Sequence, residues 1–256
     1  MSGIVIREVT EEDYEGVVGI RTAYGGRDYL PGLYHNILKR HKGFVAIMDE
    51  KMVAFRFMYL VDNGMTILPR AGRVHQDYEG LGVYRKLDEF TMQVYKDVKY
   101  KAVSFHNRNA TLMKKVEEGA YRITLNRKLK TYRTTLKSLK SDIQKRTLQN
   151  DVKHVDSDDL KGILSNTDVT KHMFSGDIFA SCWTPLRIIP ENTSHVFADN
   201  GVVFGSSVDD AEKAMISIGH PVLSSIGVSY VLDFYGLQRN DVADHIVKHF
   251  TKHRRL

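Results

Sequence analysis

Cysteine is almost missing from this chain of 256 residues, in which Cys182 stands alone. A single thiol excludes an internal disulfide and points to a reducing, cytoplasmic compartment. Long apolar runs are missing as well. No stretch approaches the ~18 residues that a membrane span needs, so no membrane association is expected. The opening Met-Ser-Gly-Ile-Val-Ile-Arg-Glu lacks the apolar centre of a secretion signal and enters a strand at once. Aromatic side chains are scarce where cations are dense. The formal net charge is +6, and much of the excess falls in residues 122–146, with only Tyr121 and Tyr132 nearby. Single-strand binding interleaves aromatics with cations. The stretch therefore reads as a solvated face, and nucleic acid is not expected as a partner. The remaining composition, 42% hydrophobic and 27% charged, is that of a soluble globular protein.

The most informative stretch is Arg73-Val-His-Gln-Asp-Tyr-Glu-Gly-Leu-Gly-Val-Tyr-Arg-Lys-Leu87. It reads as a strand, a tight turn with two glycines, and the first turn of a helix over residues 82–99. Gly80 and Gly82 permit positive φ and let a ligand approach the backbone N–H groups. The helix that follows points its positive end at the turn. The arrangement suits a phosphate.

Around it the pattern predicts a mixed α/β domain. Alternation marks strands at residues 4–9, 44–49, 52–61 and 65–74. Thr10-Glu-Glu-Asp13 opens a helix through residue 21 in the manner of a capping box. Residues 24–31 form a loop broken by glycine and proline, and residues 32–41 a short helix. Asp62-Asn63-Gly64 marks a hairpin. A strand at 101–106, a helix at 111–118 stopped by Gly119 and a last strand at 121–129 complete the order β-α-α-β-β-β-α-β-α-β. Residues 130–167 read as helical or linking. Beyond them, Asp199-Asn200-Gly201 suggests a second hairpin between 195–198 and 202–205. A short helix at 209–215, a strand at 228–235 and an amphipathic helix at 240–252 follow.

The element order and the glycine turn resemble the GCN5-related N-acetyltransferase fold over residues 4–129. That resemblance implies that acetyl-CoA, as co-substrate, lays its pyrophosphate on the turn. Residues 1–129 are thus expected to form an acetyl-CoA-binding domain. Residues 130–256 form a C-terminal α/β region, read as a degenerate second copy with no cofactor site of its own. Tyr24-Gly-Gly-Arg-Asp-Tyr-Leu-Pro-Gly-Leu-Tyr-His35, Ala71-Gly-Arg-Val74, Glu79-Gly-Leu-Gly-Val83, Trp183-Thr-Pro185 and Tyr230-Val-Leu-Asp-Phe-Tyr-Gly236 resemble the histidine N-acetyltransferase family more closely. The implied activity is acetyl transfer to the α-amine of a free amino acid or similar small amine. The runner-up readings are a non-catalytic protein of this fold that binds an anionic ligand, and a protein N-acetyltransferase.

The resemblance puts the cofactor on Arg73, Val74, Gly80, Leu81, Gly82, Val83 and Tyr84, with Asn109 or Asn107 on the pantetheine arm. A backbone N–H near Val74 faces the reacting carbonyl. Asp28, Tyr29, Tyr34, Arg56 and Arg70 are the expected acceptor residues. The family's glutamates on the third and fourth strands are replaced here by Arg56 and Arg70. With the hairpin centred on Asn63, the two arginines fall opposite each other on one face. There they would clamp an anion and favour an acidic acceptor; the plain alternative is that both reach solvent or local carboxylates. Loss of those glutamates leaves His35, His75, His106, Asp28, Glu79 or water as the base. Relatives carry a tyrosine acid four residues beyond an alanine; here Lys114 follows Ala110. His35, His106 and Lys114 are the catalytic candidates, and no spacing selects among them.

Asp77 and Glu79 sit where relatives carry arginine, glutamine or a base, and Tyr84 is expected to crowd the phosphates. Arg85 and Lys86 stand in the first helical turn. His245, His249 and His253 recur every four residues and read as a basic solvated face; no metal is expected. Cys182 reads as core, and Trp183 and the strand at 228–235 as packing elements of the C-terminal half, with lining of the acceptor cleft as a further role. The sequence assigns no oligomeric state.

Overall fold

A computed structural model describes residues 3–22, 26–236 and 241–252. It divides into two compact units. One comprises Met1–Val103 with Pro221–Tyr230, the other Ser104–His220 with Val231–Leu256. Tyr24, Asn240 and His253, named in the sequence reading, lie outside the described residues.

In the first unit the elements are β1 (Val5–Glu8), α1 (Tyr14–Gly19), α2 (Leu30–Leu38), β2 (Lys42–Met48), β3 (Lys51–Val61), β4 (Thr66–Val74), α3 (Val83–Val94) and β5 (Tyr100–Lys101). They follow the expected order. The strands lie in numerical sequence across one sheet, antiparallel from β1 to β4 and parallel between β4 and β5. Thr10 and Asp13 form the capping box. Asp13 also accepts both guanidinium nitrogens of Arg7, at 2.7 and 2.8 Å, which ties the helical start to β1. The hairpin turn carries φ of 56°, 53° and 81° at Asp62, Asn63 and Gly64, as its residues demand.

The strand period of two splits β3 between two layers. Phe55 and Phe57 face α2, where Tyr34 packs at 6.4 and 5.7 Å between ring centroids. Ala54 and Met58 face α3 and pack with Val83 and Leu87. Burying these side chains stabilises each by ~1.5–3 kcal/mol relative to exposure.

Two expectations fail here. β5 is only Tyr100–Lys101, not a strand to residue 106. Residues 121–129 form no strand. Most of their side chains are exposed, so no apolar face pulls them into a sheet.

The second unit contains α4 (Ala110–Glu117), α5 (Leu136–Lys145), β6 (Lys153–Val155), α6 (Ser157–Ser165), α7 (Thr167–Met173), β7 (Ile178–Ser181), β8 (Thr184–Arg187), α8 (Thr193–Val196) and β9 (Val202–Ser206). β10 (Met215–Ser224), β11 (Gly227–Gly236) and α9 (Val242–Lys252) complete the chain; the tip of the β10–β11 hairpin belongs to the first unit. The sheet order is β11-β10-β9-β6, with β7-β8 as a separate ribbon.

The hairpin expected at Asp199-Asn200-Gly201 is instead a helical turn after α8, and β9 pairs with β10 and β6. The left-handed turn chemistry is present, at φ 53° and 63° for Asp199 and Asn200, but the preceding arm is helical. The helix expected at 209–215 is absent, because Met215 already begins β10. In the β7–β8 turn Cys182 is half-buried rather than core, and Trp183 is 40% exposed rather than packed.

The histidine face of α9 is also corrected. His245 and His249 are fully buried. Ser217 Oγ lies 2.6 Å from His245 Nδ1 and 2.9 Å from His249 Nε2, and Ser206 Oγ lies 3.1 Å from His245 Nε2 while donating to Asp241 at 2.7 Å. Polar partners make the burial affordable. Burial holds His245 down, to a pKa of about 4.

Candidate functional site

The glycine turn opens into a cavity of about 880 Å³ in the first unit, lined among others by Gly72, Arg73, Val74, Gly80, Gly82, Val83 and Tyr84. Gly80 and Gly82 have φ of 78° and 75°, the left-handed region that strains other residues. A Cβ at either position would project into open space, with no atom within 4 Å. Gly82 begins α3 without a side-chain cap. The helix therefore presents its first-turn N–H groups and positive end toward the cavity. Leu81, between the glycines, is 62% exposed and does not line the cavity.

The opposite wall is the end of β4. His75 N donates to Val53 O at 2.8 Å, and Ala54 pairs with Val74. That places Ala54 and Val74 as a non-hydrogen-bonded pair, so the N–H of Val74 points away from β3. β5 pairs with β4 only at Thr66 and Ile67. Beyond Ile67, no strand among the described residues covers the outer edge of β4. The short β5 thus leaves the Val74 amide without a strand partner on that edge among the described residues.

A bulge in β4 decides where the arginines go. Phe55 pairs with Arg73, but Phe57 pairs with Arg70, so Ala71 and Gly72 both oppose Arg56, and Ala71 has φ 55°. The expected opposition of Arg56 and Arg70 does not occur. Arg56, 2% exposed, points to α3, where Nη1 donates to Asp88 at 2.5 Å and the guanidinium lies 5.4 Å from the Tyr84 ring centroid. Burial alone would raise the Asp88 carboxyl, but the hydrogen bond and charge of Arg56 bring it below its ordinary value. Arg70 lies on the other face, 5.5 and 5.8 Å from the ring centroids of Tyr59 and Tyr29. The two cations form no joint anion clamp.

Tyr84 reaches beneath the bulge while also lining the cavity beside the glycine turn. Its hydroxyl occupies the space a Cβ on Gly72 would need. Asp28 is buried, and its carboxylate accepts from Arg73 Nη1 at 2.8 Å and Nη2 at 3.2 Å and from Leu30 N at 3.0 Å. Tyr34 is likewise buried, its hydroxyl donating to Thr10 O at 2.7 Å, and burial pushes its pKa up to about 12. His35 is exposed and stacks on Tyr14 at 5.2 Å.

The other candidates belong to the second unit. His106 Nδ1 accepts from Arg108 N at 3.1 Å, Asn109 caps α4 by accepting from Leu112 N at 3.1 Å, and Lys114 pairs with Glu118 at 3.6 Å.

Of the two carboxylates near the turn, Glu79 has a cationic partner. Asp77 N donates to His75 Nδ1 at 3.3 Å, so that nitrogen is an acceptor and the Asp77 carboxylate stands 67% exposed, whereas Glu79 pairs with Arg21. Arg21 and Thr22 line the cavity and were not anticipated. No local pattern marks them, because they reach the turn from the end of α1, more than fifty residues away in the chain.

Comparison with known proteins supports the resemblance drawn from the residues. A family model described as "Histidine N-acetyltransferase, C-terminal" matches residues 148–255. The chain is 24% identical over 209 residues to the histidine N-acetyltransferase of Scomber australasicus, covering 75% of this chain and 61% of that protein. It is 33% identical over 90 residues to the probable N-acetyltransferase 16 of Homo sapiens, covering 34% of this chain and 24% of that one. Among solved structures, the ribosomal-protein-S18-alanine N-acetyltransferase of Escherichia coli aligns with a TM-score of 0.40 at 19% identity, over 45% of this chain and 76% of that one. The chain is thus similar to histidine N-acetyltransferases, and it spans 61% of the length of the Scomber relative.

Proposed function

We propose that this chain is an acetyl-CoA-dependent N-acetyltransferase whose acceptor is the α-amine of a free amino acid, histidine by similarity to its relatives. One observation carries the reading. A single cavity joins a left-handed glycine turn at a helix start to the open edge of β4 at Val74. The first feature suits a diphosphate, and the second supplies an N–H donor beside it.

The residues fit the coenzyme. The backbone amides around Gly80, Gly82 and Val83, which line the cavity, would hold its diphosphate. Acetyl-CoA supplies a thioester carbonyl to an attacking amine. The amine's nitrogen bonds to that carbon, the carbon–sulfur bond breaks, and the amine's proton and the thiolate's proton pass through a base and an acid. Val74 N–H serves as donor to the carbonyl oxygen as its negative charge grows. Of the candidates for the proton steps, His35 belongs to the same unit as the cavity.

Arg56, buried against Asp88, is not available to an acidic acceptor. Of the two residues that spoke for a non-catalytic protein, Glu79 faces Arg21, and Asp77 is 67% exposed, where solvent screens its charge.

The test is thiol release from acetyl-CoA in the presence of each of the twenty amino acids separately. Release with histidine above all others is expected. Absence of release with every amino acid, together with no binding of CoA in a calorimetric titration, would overturn the proposal.

A further inference from the structure

Glu79 is an odd neighbour for a phosphate cradle. It immediately precedes Gly80 and lines the same cavity, so an unpaired carboxylate there would repel a diphosphate. Its partner is Arg21, which lines the cavity from the other side of the chain's order, at the end of α1. Both side chains are about half exposed, at 50% and 54%, so solvent and ligand reach the pair. Ion pairs of this exposure are weak.

The backbone on each side of the pair is held by other bonds. Arg73 Nη1 donates to Arg21 O at 3.4 Å, and Arg73 is itself locked to buried Asp28. On the other side, Glu79 N donates to Gln76 O at 3.3 Å, and Gly80 holds its left-handed φ of 78°. The side chains can therefore separate without moving either main chain. The neighbouring cation Arg85 already faces Glu89 at 3.7 Å, and the Asp77 carboxylate is 67% exposed.

We infer that the Arg21–Glu79 pair is a partner-exchange device: a ligand's diphosphate takes Arg21 from Glu79. Arg21 is then a phosphate-binding residue, and Glu79 is a built-in competitor that lowers affinity for the phosphate-bearing ligand. The inference rests on the acetyltransferase reading and adds to it a means of setting affinity. A diphosphate carries more charge than one carboxylate and accepts a guanidinium fork bidentately, so the exchange runs toward the ligand.

The experiment is calorimetric titration of wild type, Glu79→Gln and Arg21→Gln with CoA, and with pantetheine as a phosphate-free probe. Removing an exposed competing carboxylate of this kind corresponds to about twofold to fivefold tighter CoA binding in Glu79→Gln. Arg21→Gln is expected to bind CoA about fivefold to tenfold more weakly. Pantetheine affinity is expected to stay the same in all three proteins. Unchanged or weaker CoA binding by Glu79→Gln overturns the exchange, as does undiminished binding by Arg21→Gln. So does a parallel gain for pantetheine in Glu79→Gln, which would mean a reshaped cavity. Wild type that binds no CoA overturns the acetyltransferase reading, whereas wild type that binds with these variants unaltered overturns the exchange alone.

Discussion

Replacing Asp28 with alanine is expected to damage the fold rather than the choice of acceptor. Asp28 and Arg73 are 7% and 2% exposed in their side chains and meet through two hydrogen bonds of 2.8 and 3.2 Å. The same carboxylate accepts from Leu30 N, the first residue of α2. Alanine leaves a guanidinium buried without its counter-charge. Breaking a buried pair from one side costs about 3–5 kcal/mol. With a urea slope near ~3 kcal/mol per molar, the unfolding midpoint should fall by ~1 M or more. A double variant, Asp28→Ala with Arg73→Met, removes the stranded charge and should recover much of the loss. Urea unfolding of the three proteins, followed by circular dichroism at pH 7, makes the comparison. A loss below ~1 kcal/mol in Asp28→Ala, accompanied by a raised KM for the amino acid, would refute this reasoning and return Asp28 to the acceptor site.

Two further outcomes follow from the packing. Gly72→Ala places a Cβ on the Tyr84 hydroxyl. It should cost about 1–3 kcal/mol of overpacking, in part relieved by adding Tyr84→Phe; a neutral Gly72→Ala in the same unfolding assay would contradict the geometry. Burial holds both His245 and His220 down, to pKa values of about 4. A histidine pKa below its unfolded value of ~6.5 means that the unfolded chain binds more protons between the two values. Stability is therefore complete above pH ~6.5 and falls as the pH drops toward 4, by up to ~1.4 kcal/mol per pH unit for each histidine. His245→Gln should lower stability at pH 7 but flatten this decline, and an equally steep decline in the variant would argue against the assignment.

What was legible in the chain was local. Asp62-Asn63-Gly64 makes its turn because those residues tolerate positive φ. Thr10 and Asp13 form their box because the two partners stand three residues apart. The glycine turn appears where the sequence places it and α3 begins there, though it ends at Val94 rather than residue 99, and Val74, Gly80, Gly82, Val83 and Tyr84 do line one cavity. The error at Arg56 and Arg70 is a matter of counting. The turn closes with Val61 opposite Thr66, one place away from the symmetric reading about Asn63, and the bulge at Ala71–Gly72 shifts the register again. A slip of one residue reverses the face of a strand, which sends Arg56 to α3 and leaves Arg70 on the other side.

The sequence by itself determined the backbone conformations that side chains impose on their nearest neighbours: capped helix starts, left-handed glycines and alternating strands. These depend on contacts across three or four residues. Only the tertiary structure decided the pairings, namely Arg73 with Asp28, Glu79 with Arg21, and His245 with Ser206 and Ser217. Such partners lie tens of residues apart, and burial, not spacing, selects them. A histidine repeat on α9 looks the same in sequence whether it faces water or core. It was the serines on β9 and β10 that made the buried face possible.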